Sequence, residues 1–395
     1  MERHVVFAAA LTVTAAEWSM FRRSPVHDAC STVDGPTTNT TVWTASTAGA
    51  IYGSPALANT TLFVGSYTTP RGTMAAYDTA TGATQWQFQA GGAIGSTPVH
   101  IPPYDLLVFG ADDGCLYGLE ASTGVQLWKW RHAKFGKFNM ASSPVFDAES
   151  SLLFFGTSDR TGHIFAVSLA LPLAPELQWA RATGVGDGVP GGPALSGGTV
   201  TVGANDGKVY NIDAESGAVR WTTQTSGVVY SSPAISRDGQ IVFVGSNDGN
   251  CFALNHSTGA VLWSFLTPGW ADSSPAVDDA DGAVYFATSN GNGFQNYAAL
   301  FKLKMTTGDV MWSDVLASAD GLYDPVIAGS KIYAGSINAG TTPGYPPGYL
   351  VAWEKASGTR SWMLETGGHL GAAAALGAAG ELYIGDQRGH LFKLV

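Results

Sequence analysis

Tyr52, Tyr230, Trp270, Asp272, Asp320, Tyr323, Asp324 and His369 are the side chains best suited to hold a small ligand. Each stands in a short connection that opens a recurring unit of the chain, and a few carboxylates set among aromatic faces suit a polar, ring-shaped molecule such as a sugar or a quinone. A second group is basic. Lys129, Trp130, Arg131, Lys134 and Lys137 lie close together in an otherwise acidic chain, with Phe135 among them. That mixture suits docking of an acidic protein or an anionic glycan. The Asn-Asp-Gly runs at 205–207 and 247–249, and Asp112-Asp113-Gly114, have calcium-loop composition, but a tight hairpin accounts for them fully. No Ser-His-Asp order, His/Cys metal spacing or phosphate-cradling Gly loop stands in a suitable context.

The elements that position these residues are repeats. In Ser231–Trp263 an apolar strand ends in Gly245, Asp248-Gly249 turns the chain, a second strand follows, and Ser257-Thr258-Gly259 turns it again into Ala260–Trp263. Copies run the length of the chain, marked by Trp86, Trp128, Trp179, Trp221, Trp263, Trp312 and Trp362. A second series keeps the same phase: Pro55, Pro98, Pro144, Pro193, Pro233, Pro275 and Pro325. After Gly371 three more strands follow, with Ala374 at the Pro position and no Trp. The orphan Trp43, in Thr40–Thr44, supplies the missing strand by pairing with Leu391–Val395. This closes eight units of about 44 residues into a ring, the size and architecture of an all-β, eight-bladed propeller of four-stranded antiparallel blades.

The sequence divides into an export signal over 1–16, an extension over 17–39 that folding does not need, and the propeller over 40–395. Arg3 and His4 precede the apolar run Val5–Val13, and small residues follow at 14–16. Acceptor triplets begin at Asn39, Asn59 and Asn255, in keeping with secretion. A net charge of −11 argues against nucleic acid as a partner, and no apolar run is long enough to span a membrane. Cys115 and Cys251 read as core residues of separate blades, and Cys30 as free or paired between chains. The ring itself is expected to be monomeric.

The strings Ala76–Trp86 (AYDTATGATQW), Asn211–Trp221 (NIDAESGAVRW) and Ala253–Trp263 (ALNHSTGAVLW) resemble the repeat of pyrroloquinoline-quinone-type propellers. That family includes quinoprotein alcohol dehydrogenases and a non-enzymatic bacterial outer-membrane assembly lipoprotein. Trp18-Ser19-Met20-Phe21-Arg22 is similar to its lead-in segment. The resemblance implies that Asn290 and Asn292, in the long connection 288–296, occupy the place of a calcium-ligating Asn. It also implies that Asp320 and Asp324 fall where such enzymes keep catalytic and ligating acids. Two departures point the other way: this chain has no Cys-Cys pair, and none of the corresponding loops offers the calcium-binding Glu. A binding or scaffold module without a cofactor is therefore expected first, and a calcium- and pyrroloquinoline-quinone-dependent alcohol or sugar dehydrogenase second.

In a closed meander the fourth-to-first and second-to-third connections share one face, here the top. The candidate ligand residues, the basic stretch and the long connections 288–296 and 338–349 belong to it, so a protein or carbohydrate partner is expected there. The three glycan acceptors fall on the opposite, bottom face.

Overall fold

The computed structural model describes residues 18–132, 142–158, 162–170, 174–183, 188–290, 298–338 and 347–395. It is a ring of eight antiparallel sheets, seven of four strands and one of five. Blade 5 is typical, with strands Ala234–Ile235, Ile241–Gly245, Asn250–Asn255 and Val261–Leu266 running from the axis outward. The eighth blade closes as expected. Thr41–Ser46 pairs antiparallel with His390–Leu394, Trp43 opposite Lys393, and joins first and last parts of the ring in one sheet.

One pair of residues explains why Thr-Gly and Trp recur together. At most seams the indole N–H of the fourth-strand Trp donates to a carbonyl just beyond the third strand of the next blade: Trp86 to Ala121 (2.9 Å), Trp221 to His256 (2.8 Å), Trp263 to Met305 (2.8 Å) and Trp312 to Lys355 (3.0 Å). The ring then lies flat on the glycine of that blade's turn. A Cβ at Gly259 would stand 2.5 Å from the Trp221 ring, and Gly259 also has φ +73°, so only glycine serves both needs. Each indole therefore fastens its own blade to the following one, with its large apolar area in the seam. At the last seam, where the chain ends meet, Trp362 donates to the carbonyl of Pro36 instead (3.2 Å).

The top hairpins are turns, not ion loops. Asp206 Oδ1 accepts from the Lys208 amide and Asp248 Oδ1 from the Asn250 amide, while Gly207 and Gly249 take positive φ. Asn255 and Asn59 lie at the third-to-fourth turn of blade 5 and the first-to-second turn of blade 1, and Asn39 precedes the closing strand. Strand alternation thus sets all three on the bottom face, away from Trp270.

Residues 17–39, expected to be an extension that folding does not need, are packed into the ring where the structure describes them. Residues from Trp18 onward form a strap along the axial channel, where the innermost strands would otherwise present unpaired edges. In chain order the carbonyls of Trp18, Ser19, Pro25, Val26, Asp28 and Ala29 accept from the amides of Leu57, His100, Leu195, Ile235, Val277 and Ile327 respectively (2.7–2.9 Å). Those amides belong to the inner strands of blades 1, 2, 4, 5, 6 and 7. Cys30–Ser31 then adds a parallel fifth strand to blade 7. Trp18, Arg22, His27 and Ala29 are buried.

Candidate binding site at the axial mouth

Where the Pro series approaches the axis, the residue before each Pro ties its blade to the next. The Ser54 amide donates to Thr97 Oγ1 (2.8 Å), the Thr97 amide to Ser143 Oγ (3.0 Å), the Gly192 amide to Ser232 Oγ (2.8 Å), and the Ser232 amide to Ser274 Oγ (3.2 Å). The Ser274 amide completes the run by donating to Asp324 Oδ1 (2.8 Å). Gly192 and Ala373 have no side-chain oxygen, so the girdle breaks there. Ser54 Oγ, beside the second break, is buried and has no hydrogen-bond partner.

Above this girdle a cavity of about 200 Å³ opens on the top face. Phe21 of the strap reaches it from below, and Tyr52, Tyr230, Asp272, Tyr323, Asp324 and Ser54 are among its walls. Tyr52 and Tyr230 come from blades 1 and 5, opposite positions in an eight-membered ring, and both remain nearly half exposed (45% and 46%). Asp272 accepts from the Ser289 hydroxyl with both oxygens (2.9 Å each) and from the Tyr323 phenol (3.3 Å). Burial raises its carboxyl to about 6, against the pull of those hydrogen bonds, and the charge of Asp324 adds to the rise. Burial, then the nearby Asp272 charge, pushes the Tyr323 phenol up.

Asp324 lies within the first strand of blade 7, Gly321–Ala328, at an irregularity where its φ is +43°. Beneath it sits Arg22, fully buried. The Arg22 guanidinium donates to the carbonyls of Pro275 (2.5 Å) and Pro325 (3.1 Å) and stands 3.8 Å from the Asp324 carboxylate. Burial lowers its pKa to about 10, the charges of Asp324 and Asp28 opposing the fall. His27 Nδ1–H donates to the Pro233 carbonyl (3.2 Å), and the ring is held neutral, its pKa lowered to about 3 by burial and by the charge of Arg22.

The other sequence candidates stand apart from this cavity. Trp270 bridges to Ser289 through backbone bonds and faces out. Asp320 binds Asn290, carboxylate to side-chain amide (2.5 Å) and carbonyl to backbone amide (2.6 Å). His369 lies in the blade 7 to blade 8 connection and is not among the cavity walls. Asn292, Lys134 and Lys137 lie outside the described residues. Lys129 is held within its blade, donating to Asp113 (2.8 Å) over the Tyr117 ring, and Trp130 packs edge-on against Phe155 and Phe165 of blade 3. Of the described basic residues only Arg131 is left as a docking charge. Sequence reading missed the strap and the girdle; the Ser or Thr before most of the Pro series was the available signal for the latter.

A larger cleft of about 890 Å³ opens on the bottom face between blades 3 and 4. Its lining holds the Asp213–Arg220 pair, at 2.6 Å, together with Asp147, Glu149 and Glu215. No helix among the described residues is long and apolar enough to cross a membrane.

A family profile described as outer membrane protein assembly factor BamB matches residues 32–170 and 173–394. The fold is similar to a quinohemoprotein alcohol dehydrogenase from Comamonas testosteroni at TM-score 0.77 and 14% identity, over 96% of this chain and 80% of that one. A europium-containing methanol dehydrogenase aligns at TM-score 0.75 and 14% identity, over 95% and 91%. Sqt1 of Saccharomyces cerevisiae aligns at TM-score 0.72 and 10% identity, over 90% and 99%. A search of curated proteins returns no match.

Proposed function

The chain belongs to the family described as outer membrane protein assembly factor BamB, and from that membership we propose that it is an extracytoplasmic, non-catalytic propeller that binds a protein or carbohydrate partner through its top face and axial mouth. One observation carries this reading. The acids of the mouth are already engaged by the protein itself: Asp272 by Ser289 and Tyr323, Asp324 by Ser274 and Arg22, and Asp320 by Asn290.

Those residues do not fit a quinone with calcium. Pyrroloquinoline quinone is a tricarboxylate and needs cations, yet among the described residues no Lys or Arg stands in the walls of the cavity. Calcium takes six to eight oxygen ligands. Among the described residues no group of three or more His, Cys, Asp or Glu side chains is placed to hold a metal. The cysteines Cys115 and Cys251 are buried in blades 2 and 5 rather than paired against the mouth.

The test is direct. Purified protein incubated with calcium and pyrroloquinoline quinone is desalted, its absorbance recorded, and dye reduction with alcohols and sugars followed. The expected outcome is no retained quinone and no reduction. Retained quinone together with turnover would establish the dehydrogenase instead.

A further inference from the structure

We infer that the axial mouth recognises a weakly hydrated organic cation, an ammonium or guanidinium head, carried on a basic side chain of a partner or as a free amine. The inference rests on the reading of the top face as a binding surface and specifies what that surface takes.

Three features of the cavity converge. Its charge is negative and uncompensated at one point: the Arg22 guanidinium offsets Asp324, but no Lys or Arg among the described residues pairs with Asp272. Its walls are aromatic. Tyr52 and Tyr230 line it from blades 1 and 5 and are nearly half exposed, so each offers a ring quadrupole to a cation that reaches its face. Ser54 Oγ, buried at the rim of the girdle, has no hydrogen-bond partner among the described residues and is free to meet a polar group of the ligand. A neutral sugar would use the hydroxyl and the rings but would leave the Asp272 charge unmet. An anion would be repelled by it.

Size narrows the class further. About 200 Å³ admits the head and stem of one side chain, and is below the range of sites that enclose drug-sized molecules. The raised carboxyl of Asp272 is the expected mark of an acid held in place without its counter-ion. The groups facing it are Ser289 of blade 6, Tyr323 and Asp324 of blade 7, and Arg22 of the strap below Asp324.

The experiment titrates the full chain, by isothermal calorimetry and by tyrosine NMR shifts, with choline, with acetyl-Gly-Arg-Gly-amide, with glucose and with acetate at pH 7.5. The two cations should bind, and glucose and acetate should not. Asp272→Asn should weaken the cations about tenfold and Tyr230→Ala by a similar factor, while Tyr230→Phe, which keeps the ring face, should change little. A stronger response to the peptide assigns the site to a partner's side chain, and a stronger response to choline assigns it to a free amine. Glucose binding undiminished in Asp272→Asn would overturn the inference and leave the binding-module reading standing. Retained quinone with dye reduction would remove that reading itself. Thermal melts of each variant identify any loss caused by misfolding.

Discussion

The Arg22 guanidinium lies 3.8 Å from the Asp324 carboxylate, joining the strap to the floor of the axial mouth. Arg22 is fully buried and its head also holds the carbonyls of Pro275 and Pro325. Removing one partner of a buried pair leaves an uncompensated charge, which costs about 3–5 kcal/mol. Asp324 is partly open to solvent, so Asp324→Ala should cost about 2–3 kcal/mol in urea unfolding. A loss within about 0.5 kcal/mol would mean that Arg22 is held by the carbonyls alone.

Truncation of the residues preceding Asn39 removes a row of carbonyl acceptors from six inner strands and exposes the buried Trp18 surface. At about 1 kcal/mol for each of these hydrogen bonds lost, the expected cost is about 6 kcal/mol. An unchanged urea midpoint would show that water replaces the strap without penalty.

The seams give a paired test. Trp221→Ala should cost about 3–5 kcal/mol, because the ring fills a seam and its N–H holds the His256 carbonyl. Gly259→Ala, on the facing blade, should cost about 1–3 kcal/mol from positive φ and the approach of the Trp221 ring. In a double-mutant cycle the two should be strongly non-additive, since both act on one contact.

The girdle predicts opposite outcomes for one substitution. Ser232→Ala leaves the buried Gly192 amide without its acceptor and should cost about 1–3 kcal/mol. Ser54→Ala removes a buried hydroxyl that has no partner, so stability should be unchanged or slightly higher. Equal losses at both sites would show that the hydrogen bonds of the girdle do not matter to stability.

Asp272 sets a pH dependence. Its folded carboxyl is raised to about 6 from 3.8, so the folded state holds the proton more tightly than the unfolded chain. The group's contribution is therefore fully present below about pH 4 and is lost as pH rises through about 6. Asp272→Asn, which keeps an acceptor for Ser289, should be more stable than the parent by about 1–3 kcal/mol at pH 7.5, with the gap closing at pH 4. A constant difference across that range would assign the effect to packing.

The ring was legible because its markers are physical requirements. The turn glycine and the Trp recur at fixed spacing since one lies on the other across every regular seam, and Trp43 betrayed the closing strand for the same reason. The strap left little trace. It binds through backbone carbonyls, which every residue carries, so only Trp18 and Arg22 distinguish it from a solvated tail. At the mouth, position before the Pro series picked out Tyr52, Tyr230, Asp272, Tyr323 and Asp324, which line one cavity, but it could not separate them from Trp270 and His369. Those two share the same connections and differ in where the backbone aims them.

The closing strand and the strap also fix an order in time. Thr41–Ser46 must wait for His390–Leu394 before it has a neighbour, and the strap cannot take its full set of donors until blade 7 has formed. Segments made early on the ribosome thus find their partners only near the end of synthesis. Contacts so distant in sequence make folding slow, and until they form the unpaired edges stay open to other chains.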